Sequence, residues 1–324
     1  MVDAPAMNAP TAHSTFERRA SPFDLDDEAS YRQWRAWKLA VQPQCSEDLI
    51  VDVRDPRCLS EAERAALQDR IVRANLAIYR SAVFDADPSI ARELGAQLGM
   101  YSLDANWLAG EDGISSITVA SAPDRDGFIP YTNRAIGWHT DGYYHPAARR
   151  IHGMILHCVR PALSGGLNFL LDHELAYIVL RDTSPDHLRA LMQPDAMTIP
   201  ARHDPRASDA SESGAARAAQ SGPVISVDAD TASVHFRYTA RQKSIEWRAD
   251  TATQAARACL EALLAADNAA IHRFRLQAGM GVVGHNILHG RSAFEDDSAS
   301  PRLLYRARFL DRITPPRPTP WRIG

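Results

Sequence analysis

The feature that most limits how this chain can fold is a change of hydrophobic period near residue 114. Before it, apolar residues recur at helical spacing, which predicts three helices, over 26–40, 60–81 and 87–99. After it come many short β-prone segments bounded by turn residues, interrupted by helical stretches at 173–192 and 251–267. Helices followed by many short strands predict an α+β, mainly β chain, built as a β-barrel or sandwich with a helical buttress.

The chain is expected to form one domain with short peripheral segments. Residues 1–20 are rich in Ala, Pro, Ser and Thr, which predicts a disordered lead, and 312–324 are interpreted as a C-terminal tail. Between them, 21–311 are expected to fold as a single unit. Residues 203–222 contain almost no large apolar side chain, so they are predicted to be a flexible insertion. Such an insertion is either an active-site lid or a solvated excursion without function.

Composition excludes several classes of protein. The formal net charge of −4 gives no basic field for nucleic acid or an anionic membrane surface. No apolar run reaches the length of a membrane span, and the N-terminus lacks the pattern of a signal peptide. Four scattered cysteines without a C-x-x-C pair suit a reducing compartment. We therefore expect a cytoplasmic protein that acts on a small molecule, with no nucleic-acid or membrane partner.

A possible metal site begins with His139-Thr140-Asp141, the only H-x-D tripeptide in the chain. On a strand, side chains two residues apart lie on the same face, so His139 and Asp141 would be neighbours. His289, 150 residues later in a His-Gly-Arg sequence, is the best third ligand. Two imidazoles and one carboxylate on one side of a metal leave open positions, as in non-haem Fe(II) oxygenases. Because the chain has 12 histidines, H-x-D alone is weak evidence, and the ordered set carries the hypothesis.

The last β-prone segment, 302–310, has one basic and one apolar face at period two. Arg302 and Arg306 share the basic face and lie about 13 Å apart along a strand, so they could hold two different anionic groups. A guanidinium binds a carboxylate through two parallel hydrogen bonds, which suits a dicarboxylate cosubstrate. Three other arginines are expected on solvated faces: Arg134, Arg241 and Arg308.

The ordered motifs resemble those of the TauD/TfdA family of Fe(II)/2-oxoglutarate oxygenases, which includes γ-butyrobetaine hydroxylase-like enzymes. The motifs are W-H-T-D at 138–141, G-G-x-N at 165–168, L-H-G-R at 288–291 and R-x-x-x-R at 302–306. The resemblance covers roughly residues 60–311. It implies a double-stranded β-helix (jelly-roll) core and a dioxygenase that uses Fe(II), 2-oxoglutarate and O₂. Such an enzyme oxidises its substrate, usually by hydroxylation, and releases succinate and CO₂.

The resemblance also implies roles for single residues. His139, Asp141 and His289 resemble the iron ligands, and Arg302 and Asn168 would bind 2-oxoglutarate, although taurine dioxygenase has threonine in place of Asn168. Arg306 matches an arginine that binds an anionic substrate group. The further substrate-binding candidates are Trp138, Tyr143, Trp107 and Asn106.

The substrate implied by these residues is a small organic acid or an amino-acid-like compound. Two alternatives to a dioxygenase stay open: a non-catalytic binding or regulatory barrel of the same fold, and a zinc hydrolase. A homo-oligomer is possible, and the sequence does not fix the number of subunits.

Overall fold

The computed structural model of the chain describes residues 21–104, 110, 112–119, 129–203, 215–228, 231–241 and 245–314. Within these ranges the α-helices are α1 (Glu28–Val41), α2 (Glu61–Ala74), α3 (Ser89–Gln97), α4 (His173–Thr183), α5 (Pro185–Leu191) and α6 (Thr251–Ala265). Among the described residues, none of the helices combines the length and the apolarity that a bilayer crossing requires.

The boundaries of α2 show what local signals determine. Its start is set by a capping box, in which Ser60 Oγ accepts from Glu63 N and Glu63 accepts from Ser60 N. The predicted continuation to residue 81 is wrong. Asn75 takes a left-handed conformation with φ of 61° and ends the helix, and the following five residues form a strand. The alternation of apolar residues there was too short to distinguish strand from helix.

The strands follow the chain in short segments. They are β1 (Ile50–Asp52), β2 (Leu76–Arg80), β3 (Ser115–Ile117), β4 (Ile136–His139), β5 (Gly153–Arg160), β6 (Ser164–Gly165), β7 (Asn168–Leu171), β8 (Met197–Ile199), β9 (Arg202–His203), β10 (Ala215–Arg217), β11 (Gln220–Gly222), β12 (Ile225–Asp228), β13 (Ser233–Phe236), β14 (Glu246–Trp247), β15 (Ile271–Phe274), β16 (Met280–His285), β17 (Leu288–Arg291), β18 (Phe294–Glu295) and β19 (Leu303–Phe309).

Two sheets carry the architecture. The larger has six strands in the order β1-β2-β16-β5-β19-β3, and only its β1-β2 pair is parallel. The smaller has four antiparallel strands in the order β15-β7-β17-β4. Strands distant in sequence are neighbours in both sheets, which brings the candidate residues of β4, β17 and β19 within reach of one another.

Each face of the six-stranded sheet has its own apolar partner. On one face, Tyr305 and Phe309 pack with Leu67 of α2 and Leu94 of α3. On the other face, a second cluster includes Met154, Val282 and Leu304 of the large sheet together with Leu170 of the small sheet. The second cluster therefore joins the two sheets, while α4, α5 and α6 belong to a third cluster. The alternation along β19 is as the sequence predicts: the apolar positions 305, 307 and 309 are buried against the helices.

Part of the predicted flexible insertion over 203–222 forms β-structure. Gln220–Gly222 pair with Met197–Ile199, and Ala215–Arg217 pair with β9. Backbone pairing with a neighbouring strand forms β-structure here although apolar side chains are scarce. Residues 204–214 of the segment lie outside the described residues.

Candidate metal centre and cosubstrate pocket

The three predicted metal ligands converge. His139 ends β4, and His289 lies directly opposite it on the neighbouring β17, with ring centroids 4.2 Å apart. Asp141 follows two residues after His139, and the ligand atoms of all three side chains lie within 4.8 Å of one another. Within the described ranges, no other group of three His, Cys, Asp or Glu side chains meets in this way.

Backbone contacts orient both imidazoles. His139 Nδ1 lies 3.0 Å from Gly137 O, and His289 Nδ1 lies 2.9 Å from Ile287 O. Since a carbonyl oxygen only accepts, each Nδ1–H donates, and each Nε2 keeps its lone pair for a metal. Burial lowers the pKa of His139 to about 3, and burial likewise lowers the pKa of His289. Both rings are therefore neutral at neutral pH, the form that binds metals.

The backbone of Asp141 is held by an asparagine that sequence reasoning did not assign to the site. Asn286 Oδ1 accepts from Asp141 N at 2.8 Å, while Asn286 Nδ2 donates to Asp141 O at 2.8 Å and to Ile151 O at 2.9 Å. The next residue, Gly142, has φ of +66°, and a Cβ there would lie 2.5 Å from Ile151 Cγ1. No local pattern in the sequence indicates this role of Asn286, because its contact with Asp141 spans 145 residues.

The carboxylate of Asp141 is suited to a cation. Burial opposes its ionisation, but the nearby guanidiniums of Arg306 and Arg308 hold the pKa of the carboxyl below its ordinary value. Asp141 Oδ1 accepts from Arg306 Nη1 at 3.3 Å, whereas Oδ2 is buried without a hydrogen-bond partner. A buried anionic oxygen without a donor, beside two free Nε2 atoms, fits a divalent metal.

A second predicted group, Arg302, lies in a small cavity that Asn168, Arg275 and the Gly165-Gly166 turn also line. Arg302 is buried, and its guanidinium carbon lies 5.0 Å from the centroid of the Phe294 ring. No carboxylate of the described residues forms an ion pair with this guanidinium within 4.0 Å. A buried guanidinium without a described ion-pair partner could bind an anion from solution.

Sequence reasoning did not assign a role to Arg291, which shares the Phe294 ring with Arg302. Arg291 lies opposite Asn168 in the register of β17 and β7, and its guanidinium carbon lies 4.5 Å from the Phe294 ring centroid. Arg291 Nη2 donates to the carbonyl oxygens of Thr132 and Arg134. Burial, and next the charge of Arg302, lower the pKa of Arg291 to about 9. The signal in the sequence was the Arg of L-H-G-R, two residues after His289 and therefore on the same face.

The expectation that Arg308 lies on a solvated face is wrong. The side chain is 3% exposed, and Nη2 lies 2.5 Å from Asp104 Oδ2. Arg308 Nη1 donates to the Tyr144 hydroxyl at 3.0 Å. A carboxylate 204 residues away in sequence makes burial of this charge possible, and no local pattern reveals it.

The residues predicted to contact the substrate do not all lie beside the metal ligands. Trp138 does not face the metal ligands: its Nε1 donates to Leu264 O of α6 at 2.9 Å, and its ring packs edge-on against Phe169. Neighbouring residues on a strand point to opposite faces, so Trp138 and His139 cannot share one. Tyr143 contacts Tyr144 next to the site, with ring centroids 5.2 Å apart. Asn106 and Trp107 lie outside the described residues.

Comparison with known proteins agrees with this geometry. The sequence model of the taurine catabolism dioxygenase TauD, TfdA family matches residues 39–308. A uridine-5′-phosphate dioxygenase from Amycolatopsis sp. is 30% identical over 292 residues, which cover 82% of this chain and 98% of that protein. A second uridine-5′-phosphate dioxygenase, from Streptomyces sp., is 30% identical over 218 residues, 64% of this chain and 72% of that protein.

Solved structures show the same fold at low identity. The non-haem iron oxygenase OrfP, in complex with Fe, succinate and (3S)-hydroxy-L-Arg, is similar with a TM-score of 0.55 and 17% identity, covering 78% of this chain and 81% of that one. Asparagine oxygenase, in complex with Fe(II), hydroxyasparagine and succinate, has a TM-score of 0.51 and 14% identity, covering 88% and 92%. From the family match and the full-length relative, the chain belongs to the TauD/TfdA family and is a non-haem Fe(II)- and 2-oxoglutarate-dependent dioxygenase of a small molecule.

Proposed function

We propose that the enzyme oxidises a small phosphorylated substrate of the nucleoside 5′-monophosphate class, with uridine 5′-phosphate as the first compound to test. The relative named for that substrate aligns over 98% of its own length. The observation that carries the proposal is the position of Arg306, whose Nη1 lies 3.3 Å from the metal-ligand carboxylate. An anionic group bound by Arg306 would place the neighbouring carbon of the substrate beside the metal.

The proposal assigns the remaining site residues. His139, Asp141 and His289 would hold Fe(II), because their free Nε2 and Oδ2 atoms converge. Arg302, with Asn168 and Arg291 beside it, would hold the distal carboxylate of 2-oxoglutarate. Fe(II) with 2-oxoglutarate and O₂ supplies the oxidising chemistry, which converts 2-oxoglutarate into succinate and CO₂. The protein's own residues bind and orient the two anions and limit the access of water.

The architecture supports this assignment. The six-stranded and four-stranded sheets share an apolar cluster, and the ligands come from β4, β17 and the turn after β4. We propose that these sheets form a double-stranded β-helix core in a single domain over 21–311, with the metal at one end.

The base of a nucleotide would meet aromatic rings. Tyr143 and Tyr144 adjoin the metal ligand Asp141, and the Arg217 guanidinium carbon lies 5.9 Å from the centroid of the Tyr144 ring. Aromatic faces and guanidinium planes are the usual stacking surfaces for unpaired bases. A pyrimidine held there and a phosphate held by Arg306 would place the sugar between them.

The test is succinate release from 2-oxoglutarate by the Fe(II)-loaded enzyme with four compounds: uridine 5′-phosphate, uridine, L-arginine and L-asparagine. We expect turnover with uridine 5′-phosphate and at least about tenfold less with uridine, since uridine lacks the charge-assisted contact. Equal rates with both would overturn the phosphate assignment. Turnover with only the amino acids would identify an amino-acid oxygenase instead.

A further inference from the structure

A buried ion network lies beside the candidate metal centre. The Asp104 side chain is fully buried, and three cationic or titratable side chains surround it. Arg308 Nη2 lies 2.5 Å from Oδ2, Arg149 Nη2 contacts Oδ1, and His145 Nε2 lies 3.3 Å from Oδ2. Burial alone would raise the pKa of Asp104. The contacts with His145, Arg308 and Arg149 outweigh burial and lower this pKa to about 2, so the carboxylate is charged at neutral pH.

Arg308 lies between two carboxylates. Its Nη2 contacts Asp104, while its Nη1 lies 4.0 Å from Asp141 Oδ1. Arg306 already contacts that same oxygen at 3.3 Å. Two guanidiniums thus approach Asp141, and among the described residues only Arg308 has a second carboxylate partner, Asp104.

A guanidinium that contacts a metal-ligand carboxylate competes with the metal, since both are attracted by the same negative charge. In a buried site this competition is weakly screened by solvent. The ion pair with Asp104 neutralises Arg308 and fixes the direction of its fork. Without it, a buried and unpaired Arg308 would find its nearest carboxylate in Asp141.

We infer that Asp104 is a positioning residue that limits how closely Arg308 approaches Asp141 and thereby maintains the metal affinity of the site. The inference rests on the proposed metal role of His139, Asp141 and His289. Asp104 acts only through Arg308, so its effect must disappear when Arg308 loses its charge. A general contribution of Asp104 to folding predicts no such rescue.

The experiment measures Mn(II) binding to the metal-free enzyme by the electron paramagnetic resonance signal of free Mn(II). Four proteins are compared: wild type, Asp104→Asn, Arg308→Met and the double variant. Asp104→Asn should raise the Kd about tenfold, and the double variant should return to within about threefold of wild type. Asp52→Asn is the matched control, because Asp52 lies on the edge strand β1 and forms an exposed ion pair with Arg80 of β2.

Each outcome decides. A wild-type Kd in Asp104→Asn, or a double variant as weak as Asp104→Asn, would overturn the inference. If Asp104→Asn does not fold, Arg308→Met alone still decides, since it should bind Mn(II) at least as tightly as wild type and weaker binding contradicts the competition. Failure of the wild-type enzyme to bind Mn(II) would instead reject the proposed metal site.

Discussion

Three arginines, Arg302, Arg306 and Arg308, form a row along the last strand. The two ends of this arginine row carry the same side chain in opposite electrostatic surroundings. Arg302, just before β19, is buried beside an aromatic ring and a second guanidinium, and no described carboxylate pairs with it. Arg308, near the other end, is equally buried but is paired with Asp104. Arg306 lies between them, and its ion pair among the described residues is with Asp141, the carboxylate that a metal would take.

The presence or absence of an ion-pair partner distinguishes a structural arginine from an arginine that is suited to bind a ligand. Burying a charge is costly unless an opposite charge accompanies it. Where the fold supplies that charge, as at Arg308, the pair belongs to the scaffold. Where no described carboxylate pairs with the guanidinium, as at Arg302, we propose that the anion is supplied by the ligand. We expect this contrast to govern metal, cosubstrate and substrate binding.

The largest effect is expected at the metal ligands themselves. His139→Ala removes one of three converging ligand atoms, so substrate-dependent succinate formation should be abolished. The measurement is succinate release together with the metal content of the purified variant. Full activity in a variant with confirmed metal content would reject the assignment of His139.

The unpaired end of the row is tested by Arg302→Gln. Loss of a bidentate, charge-assisted contact should raise the Kd of 2-oxoglutarate about 10- to 100-fold, measured by calorimetric titration of the metal-loaded protein. Arg273→Gln is the control, because Arg273 pairs with Asp267 at the surface. Arg308→Met should leave this Kd near its original value; an equal increase in both variants would remove the contrast between the two ends.

Between the two ends, Arg306→Leu should raise the KM of the anionic substrate about tenfold while leaving the Kd of 2-oxoglutarate nearly unchanged. Steady-state kinetics with uridine 5′-phosphate measures the first quantity and calorimetry the second. An unchanged substrate KM would show that the anionic group binds elsewhere.

The last effect concerns how the free energy of unfolding of the metal-free protein depends on pH. Burial lowers the pKa of His139 to about 3 and that of His157 to about 4, whereas an unfolded histidine titrates near 6.5. Below pH 6.5 these histidines bind protons in the unfolded chain but not in the folded chain. The free energy of unfolding therefore decreases as the pH drops from 6.5 toward 4. The loss is at most about 1.4 kcal/mol per pH unit for each such histidine.

Urea unfolding of the metal-free enzyme at pH 6.5 and pH 4.5 measures this loss. His139→Ala should lose less stability on acidification than wild type. An identical pH dependence in the variant would show that His139 is not held neutral by the fold.

Local patterns predicted much of the framework. Helical spacing identified α1, α4 and α6, and the capping box at Ser60 fixed the start of α2. The end of α2 was missed because it depends on Asn75 and on strand pairing farther along the chain. The same alternation rule that placed His139 and Asp141 together also places Trp138 on the opposite face, and this could have been derived from the sequence.

The sequence by itself determined which residue types are available to the site. They are a histidine and an aspartate at strand spacing, a second histidine 150 residues later, and arginines at period two on the last strand. Only the tertiary structure decided which of those charges are neutralised within the protein. Spacing is a local property of the backbone and can be derived from neighbouring residues. Charge compensation depends on partners such as Asp104 and Arg308, which are distant in sequence and meet only when the sheets assemble.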